Sequence, residues 1–207
     1  MKDRLSGLYV IIDPEVARGR DEAEIAREAI AGGARMIQLR DKTRAEAAQL
    51  PIAKRLADIC RGNNVAFFVN DNVDLSLASG ADGVHLGQTD HPLAAVRKRV
   101  GSDLLIGAST NNVEEALQAE ADGADYVSVG RLFSTGSKAD TRPATLDTLR
   151  VIKAAVSVPV CAIGGINESN IDGVINAGAD IVSVIAAVVS APDIREAAQT
   201  LASRFEN

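Results

Sequence analysis

Four segments decide the fold: GGARMIQL (residues 32–39), SGADGVHL (79–86), DGADYVSV (122–129) and AGADIVSV (177–184). Each reads as a helix end, a glycine, an alanine, a polar residue and an apolar strand. Gly33, Gly80, Gly123 and Gly178 occupy the same place in all four. A glycine there supplies the positive φ that stops a helix before the chain turns into a strand. Each segment ends in an even-numbered strand, so the chain repeats as βαβα quarters.

Working outward, eight short β-branched runs can be counted: 8–13, 35–40, 65–70, 83–87, 103–109, 126–130, 158–165 and 180–185. They are continuously apolar rather than alternating, as parallel strands covered on both faces should be. Amphipathic runs rich in Ala, Glu, Lys and Arg separate them. Asp21 and Asn112 stand where helix caps are expected, and Thr145 or Asp147 opens a later helix. Thr43-Arg44-Ala45-Glu46 has the pattern of a capping box. Pro51 inside that run predicts a kink or a delayed start. Eight β/α units in 207 residues predict a (β/α)8 TIM barrel, one α/β domain over residues 1–207, within the roughly 200–250 residues such barrels occupy. An open doubly wound sheet is the competing topology. A G-x-G-x-x-G after the first strand would favour it, and none is present.

Composition narrows the function classes. Hydrophobic residues make up 46% but aromatics only 3%, with no Trp, so the core must be built mainly of aliphatic side chains. A net charge of −6 disfavours nucleic-acid and membrane-surface partners. Cys60 and Cys161 have neither framework nor metal-finger spacing and read as reduced core thiols. No segment has the length of a signal peptide or a membrane span, which makes the cytoplasm the expected location. A homo-oligomer is compatible with everything in the chain.

In a barrel of this kind, chemistry sits just past the C-terminal ends of the strands. After strand 2 come Gln38, Arg40 and Lys42. Gln38 and Arg40 share a face, Arg40 can fork onto two phosphate oxygens, and Lys42 adds a point charge. Asp71 follows strand 3 beside Asn70, and Asp90 follows strand 4. Alone, Asp71 reads as an Asx turn and Asp90 as a cap region before Pro92. On neighbouring strands they also read as two oxygen donors for Mg²⁺. Ser109 follows strand 5. Thr135, Ser137 and Lys138 follow strand 6 in a loop suited to clamping phosphate. Gly164-Gly165 and Ile185-Ala186 follow strands 7 and 8, the usual phosphate-binding place of the fold. His85 reads as a packed polar residue inside the barrel and His91 as surface. With phosphate binders plentiful and acid–base groups scarce, the pattern favours chemistry in which pyrophosphate leaves.

The ordered set LYVIID, GGARMIQLRDK, FFVNDNVDLSLASGADGVHLGQTD, IGAST, YVSVGRLFSTGSKADTR, PVCAIGGI and VSVIAAV, from about residue 8 to 190, closely resembles the thiamine phosphate synthase family. The resemblance implies a (β/α)8 barrel that joins 4-amino-2-methyl-5-hydroxymethylpyrimidine pyrophosphate to 4-methyl-5-(2-phosphoethyl)thiazole. It implies Mg²⁺ on Asp71 and Asp90, and pyrophosphate on Arg40, Lys42 and Lys138. Gln38 and Asn70 would contact the pyrimidine. Thr135, Ser137 and the backbone at Gly165, Ile185 and Ala186 would hold the thiazole phosphate. Ser109, Lys138 and Arg40 are the implied catalytic residues. Three positions depart from the family pattern: Ala186 where a Ser is common, Asn111 where a His is common, and Gly136 in the strand-6 loop. A TenI-type thiazole tautomerase and a non-catalytic binder of thiamine intermediates are the alternatives. The tautomerase would need a proton-transfer base and no pyrophosphate site.

Overall fold

The computed structural model describes residues 4–134 and 142–206. Eight parallel strands close into a barrel in chain order: β1 (Gly7–Ile12), β2 (Met36–Leu39), β3 (Ala66–Asn70), β4 (Gly83–Leu86), β5 (Leu105–Thr110), β6 (Tyr126–Val129), β7 (Val160–Ile163) and β8 (Ile181–Val184). The last strand returns to the first, with Tyr9 opposite Ser183. All eight expected strands are present, and the open-sheet alternative is excluded by the closure.

Helices alternate with the strands: α1 (Pro14–Ala17), α2 (Glu22–Ala31), α3 (Glu46–Gly62), α4 (Val73–Ser79), α5 (Leu93–Val100), α6 (Val113–Ala121), α7 (Leu146–Ala155), α8 (Ile171–Asn176), α9 (Ala186–Val189) and α10 (Ile194–Ala202). Asp21 caps α2, Asn112 caps α6, and Thr145 caps α7 through a box with Thr148. The box expected at Thr43–Glu46 does not form. Ala45 occupies the N-cap of α3 without a side-chain bond, and the helix starts late with Pro51 in its second turn. The buried Asp41 carboxylate takes the local donors instead, from the backbone N–H of Thr43 and Arg44 and from the Thr43 hydroxyl.

The repeat glycines behave as read, with φ of 96° at Gly33, 72° at Gly80, 98° at Gly123 and 99° at Gly178. The aspartate of each G-A-D segment has a further use. Asp82, Asp125 and Asp180 accept the backbone N–H of Phe67, Ile106 and Val160 respectively, at 2.7–2.9 Å. Each thus ties the entry of an even strand to the start of the odd strand before it. Arg4, Arg97 and Lys153 pair with these three carboxylates. Three bonds of this kind fix the β3–β4, β5–β6 and β7–β8 registers at the end of the barrel away from the site.

Outward-facing strand residues such as Val10, Ile37, Phe67 and Val127 are fully buried against the helices. Full burial of such side chains contributes roughly 1.5–3 kcal/mol each. Inside the barrel, Tyr9, Met36, Phe68, Leu105, Tyr126, Cys161 and Ile181 form a separate plug. The Tyr9, Phe68 and Tyr126 rings meet at tilted to edge-on angles with centroids 5.6–6.3 Å apart, the favoured aromatic geometry. Gly83 and Gly107 make room for them. A Cβ on Gly83 would lie 2.2 Å from the Phe68 ring, and one on Gly107 would lie 2.1 Å from that of Tyr126.

Candidate active site

Above this plug the strand ends open into a cavity of about 510 Å³. Period-two alternation decides what faces it. Six of the eight inward positions one step above the rings are polar: Gln38 on β2, Asn70 on β3, His85 on β4, Ser109 on β5, Ser128 on β6 and Ser183 on β8, with Ile11 on β1 and Ile163 on β7 completing the layer. The two tyrosine hydroxyls reach up into that layer. Gln38 Nε2 donates to the Tyr9 hydroxyl, and the Tyr126 hydroxyl donates to Tyr9 at 3.3 Å. His85 Nδ1 lies 2.8 Å from the Tyr126 hydroxyl, and Nε2 lies 3.0 Å from Ser109 Oγ. A continuous chain of hydrogen bonds therefore crosses the cavity floor from β2 to β5. His85 also stacks on Tyr126. The expectation of a polar His inside the barrel holds, but its edge is on the cavity and its partner is a site residue.

The rim carries the charges. Arg40 follows β2 and pairs with Asp13, which follows β1. The Asp13 side chain is only 3% exposed, and its other oxygen caps α1 through Glu15 N–H. Lys42 pairs with Asp71. The turn between Arg40 and Lys42 is held by Asp41, whose carboxyl lies below its usual pKa. Burial works to raise it, but bonds from Arg44, Thr43 and the nearby Arg44 charge outweigh burial.

Asp71 and Asp90 come together as adjacent strand ends should bring them, within hydrogen-bonding reach of each other. Neither local alternative describes them. Asn72, not Asp71, caps α4 through Leu75 N–H, and Asp71 sits at φ 61°. Pro92 takes the N-cap position of α5, while Asp90 Oδ2 accepts Gly87 N–H at 2.7 Å. Burial tends to raise the Asp71 pKa, but the Lys42 ion pair and the bond with Asp90 pull it below the usual carboxylate value. Burial and the Asp71 charge push Asp90 up. Asp71 is thus held below and Asp90 above the usual carboxylate value, and a counter-ion between them would relieve their mutual repulsion.

Gln38, Arg40, Lys42, Asn70, Asp71, Asp90, Ser109, Gly165, Ile185 and Ala186 all line this one cavity. Thr135, Ser137 and Lys138 lie outside the described residues. Gly164 and Gly165, at φ 106° and 67°, are required by a close approach within the chain. A Cβ at Gly165 would meet Ser134 O at 2.6 Å, because Leu132 and Phe133 N–H bond to Ile163 and Gly164 carbonyls. The short extra helix expected after β8 is α9. Asn111 ties the β5 end to β6 through Gly130 O at 2.8 Å and to Arg142 O at 2.9 Å. Arg131 and Arg142 add two cations to the lining that the sequence reading passed over. Their signal was available, since Arg131 directly follows a strand end. Asp13, directly after β1, carried the same signal, whereas Tyr9 was missed for want of any motif.

Cys60 and Cys161 are buried and free, and burial pushes both thiols up to about 12, so neither serves as a nucleophile. Among the described residues no cluster of three or more His, Cys, Asp or Glu forms a metal cage. A pair of carboxylates beside cations and hydroxyls fits instead a Mg²⁺ that shares its shell with phosphate oxygens and water.

Fold and site together define a (β/α)8 barrel enzyme with a charged, polar small-molecule cavity at its C-terminal rim. The profile of the thiamine monophosphate synthase family matches residues 8–188. The chain is 47% identical to the thiamine-phosphate synthase of Shouchella clausii, covering 96% of each. Against that of Methanocella arvoryzae it is 49% identical, over 94% of this chain and 92% of the relative. A solved thiamine phosphate pyrophosphorylase from Pyrococcus furiosus superimposes with a TM-score of 0.91 at 41% identity, covering 99% of this chain and 97% of that one. The chain belongs to the thiamine monophosphate synthase family.

Proposed function

We propose that the protein is a transferase of thiamine biosynthesis. It condenses 4-amino-2-methyl-5-hydroxymethylpyrimidine pyrophosphate with 4-methyl-5-(2-phosphoethyl)thiazole to give thiamine phosphate and pyrophosphate, and it works in the cytoplasm. The observation that carries this reading is the gathering of Arg40, Lys42, Asp71 and Asp90 on one rim directly above the polar floor of Gln38, Asn70 and Ser109. An anion-leaving group and a flat polar ring are accommodated by opposite ends of the same cavity.

The C–O bond between the pyrimidine's exocyclic CH₂ and pyrophosphate breaks, and both electrons leave with pyrophosphate. Arg40 offers a fork to its oxygens and Lys42 a point charge, with Lys138 assigned to the same group. Asp71 and Asp90 would hold Mg²⁺, which when bound neutralises charge on the pyrophosphate. The pyrimidine is left as a cation delocalised onto its amino group. The floor meets that charge with acceptors: the Gln38 and Asn70 amide oxygens and the Ser109 hydroxyl. The thiazole nitrogen then attacks the CH₂ through a lone pair that carries no proton, so no general base is needed. Gly165, Ile185 and Ala186, with Thr135 and Ser137, are assigned to the thiazole phosphate.

One observation favours a second reading, a thiazole tautomerase: His85 faces the cavity beside Ser109, where a proton could be moved. The carboxylate pair and the rim cations have no task in that reaction. Purified protein with Mg²⁺ and both substrates should form thiamine phosphate, and EDTA should stop it. Isomerisation of the thiazole phosphate without coupling would move the assignment to the tautomerase.

A further inference from the structure

Asp13 directly follows β1 and is 2% exposed. Both of its carboxylate oxygens are committed. Oδ1 accepts Glu15 N–H at 3.0 Å as the cap of α1, and Oδ2 pairs with Arg40 Nη1. The cap accounts for only the first of these. A helix N-cap needs an oxygen acceptor, which Ser or Asn supplies as well as Asp. The charge has a different use. A buried carboxylate without a partner is costly, and among the described residues its partner is Arg40. Arg40 is tied to β1 a second time, since its backbone N–H donates to Ile12 O at 2.9 Å. Arg40 lines the cavity, whereas Asp13 stands behind it and does not.

We infer that Asp13 is a positioning residue for pyrophosphate: it holds the Arg40 guanidinium by Nη1 and leaves the Nε–Nη2 edge for the ligand. This rests on the functional reading above, in which Arg40 meets pyrophosphate. An arginine that must be frozen as the ligand binds gives up rotamer freedom, and pinning it beforehand removes that loss. Fixing one such side chain is worth about tenfold in affinity. The charge of Asp13 acts in the opposite direction, because partial neutralisation of Arg40 weakens its pull on an anion. The two effects therefore predict opposite signs when the charge is removed. The geometry favours pinning. The Arg40 side chain is only 16% exposed and that of Asp13 3%. The carboxylate cannot swing away, since the cap holds its other oxygen.

Inorganic pyrophosphate with Mg²⁺ is titrated calorimetrically into the full chain as wild type, Asp13→Asn, Arg40→Met and the double variant. Asn keeps the cap with its oxygen and turns its Nδ2 donor toward Arg40, so the pair is lost and the cap is not. Asp13→Asn is expected to weaken pyrophosphate about tenfold with Arg40 present and less than about twofold with Met there. A purely structural role would weaken binding equally in both backgrounds, and would overturn the inference. Unchanged or tighter binding by Asp13→Asn, the sign that neutralisation requires, would overturn it too. Nitrogen-15 NMR of the arginine side chains in the ligand-free wild type gives a second reading that needs no Asp13 variant. Arg40, assigned by the signal lost in Arg40→Lys, is expected to show hindered rotation of its guanidinium. Free rotation would overturn the inference, whether or not Asp13→Asn folds. Failure of the wild type to bind Mg–pyrophosphate at all would count instead against the functional reading, and the NMR result would still score the hold on Arg40.

Discussion

Replacing Asp90 by Asn should make the metal-free protein more stable while removing its response to Mg²⁺. Two like charges about 4 Å apart repel by about 1 kcal/mol in water and about 4 kcal/mol at an effective dielectric of 20. The rim lies toward the wet end of that range, with Lys42 48% and Asp71 26% exposed. The Lys42 ammonium offsets part of the repulsion. A net penalty of about 1 kcal/mol in the wild type follows, and Asn removes it while its amide oxygen can still accept Gly87 N–H. For a chain of this length that corresponds to a rise of roughly 2–4 °C in Tm in EDTA. With Mg²⁺ and pyrophosphate at about 100 times Kd the wild type should gain about 2.7 kcal/mol, and Asp90→Asn less than about 1. The order of the two proteins therefore reverses on adding ligand.

The pH dependence supplies an internal control. The folded pKa of Asp90 is raised above 3.8, so the protonated form is favoured in the fold. Its penalty is absent below the unfolded value and grows as pH rises through the folded one. The advantage of Asp90→Asn in EDTA should accordingly be full at neutral pH and vanish below about 3.8. Thermal unfolding followed by circular dichroism, with and without Mg²⁺ and pyrophosphate, reads all of this. A variant that melts lower than wild type in EDTA, or gains the same ligand shift, would refute both the repulsion and the metal assignment.

Arg40→Lys should raise KM for the pyrimidine pyrophosphate roughly 10–100-fold in steady-state assays, since a point charge cannot replace a fork held by Asp13. Gly107→Ala should cost roughly 1–3 kcal/mol or more in denaturant titrations, because its Cβ would lie 2.1 Å from the Tyr126 ring. Asp125→Ala should cost about 2–4 kcal/mol by the same method, as it strands Ile106 N–H at 2.9 Å and Arg97 around a buried carboxylate. Neither Cys60 nor Cys161 should react with iodoacetamide at pH 8 until denaturant is added, which mass spectrometry would detect.

The barrel was legible because its signals are local and repeated. A glycine at φ near 100° ends a helix wherever it stands, and four G-A-x segments announce four such ends without reference to the rest of the chain. The rim was legible for a related reason. Once the strand count is right, Arg40, Lys42, Asp71, Asp90 and Ser109 need only lie just past a strand to be candidates. What failed was the choice among local partners. Thr43 and Glu46 match a capping box, but Asp41 takes the Thr43 and Arg44 donors first. Asp71 and Asp90 look like turn and cap residues, but Asn72 and Pro92 hold those positions.

A different kind of information was missing for Tyr9 and Tyr126. Nothing near Tyr9 in sequence says that its hydroxyl meets Gln38, 29 positions later, and Tyr126, 117 positions later. Barrel closure and register bring them together: Tyr9 pairs with Met36 on one side and Ser183 on the other, and strand alternation aims all the rings at one axis. The glycines opposite the rings carried a trace of this, since Gly83 and Gly107 interrupt apolar strands where a Cβ would strike Phe68 or Tyr126. A glycine inside a buried strand thus predicts a large side chain facing it from a neighbouring strand. Here that rule leads from Gly107 to Tyr126, and from there through one hydrogen bond each way to His85 and Tyr9. The groups that touch the ligand can be picked out strand by strand, whereas the groups that aim them follow only from the closed ring of strands.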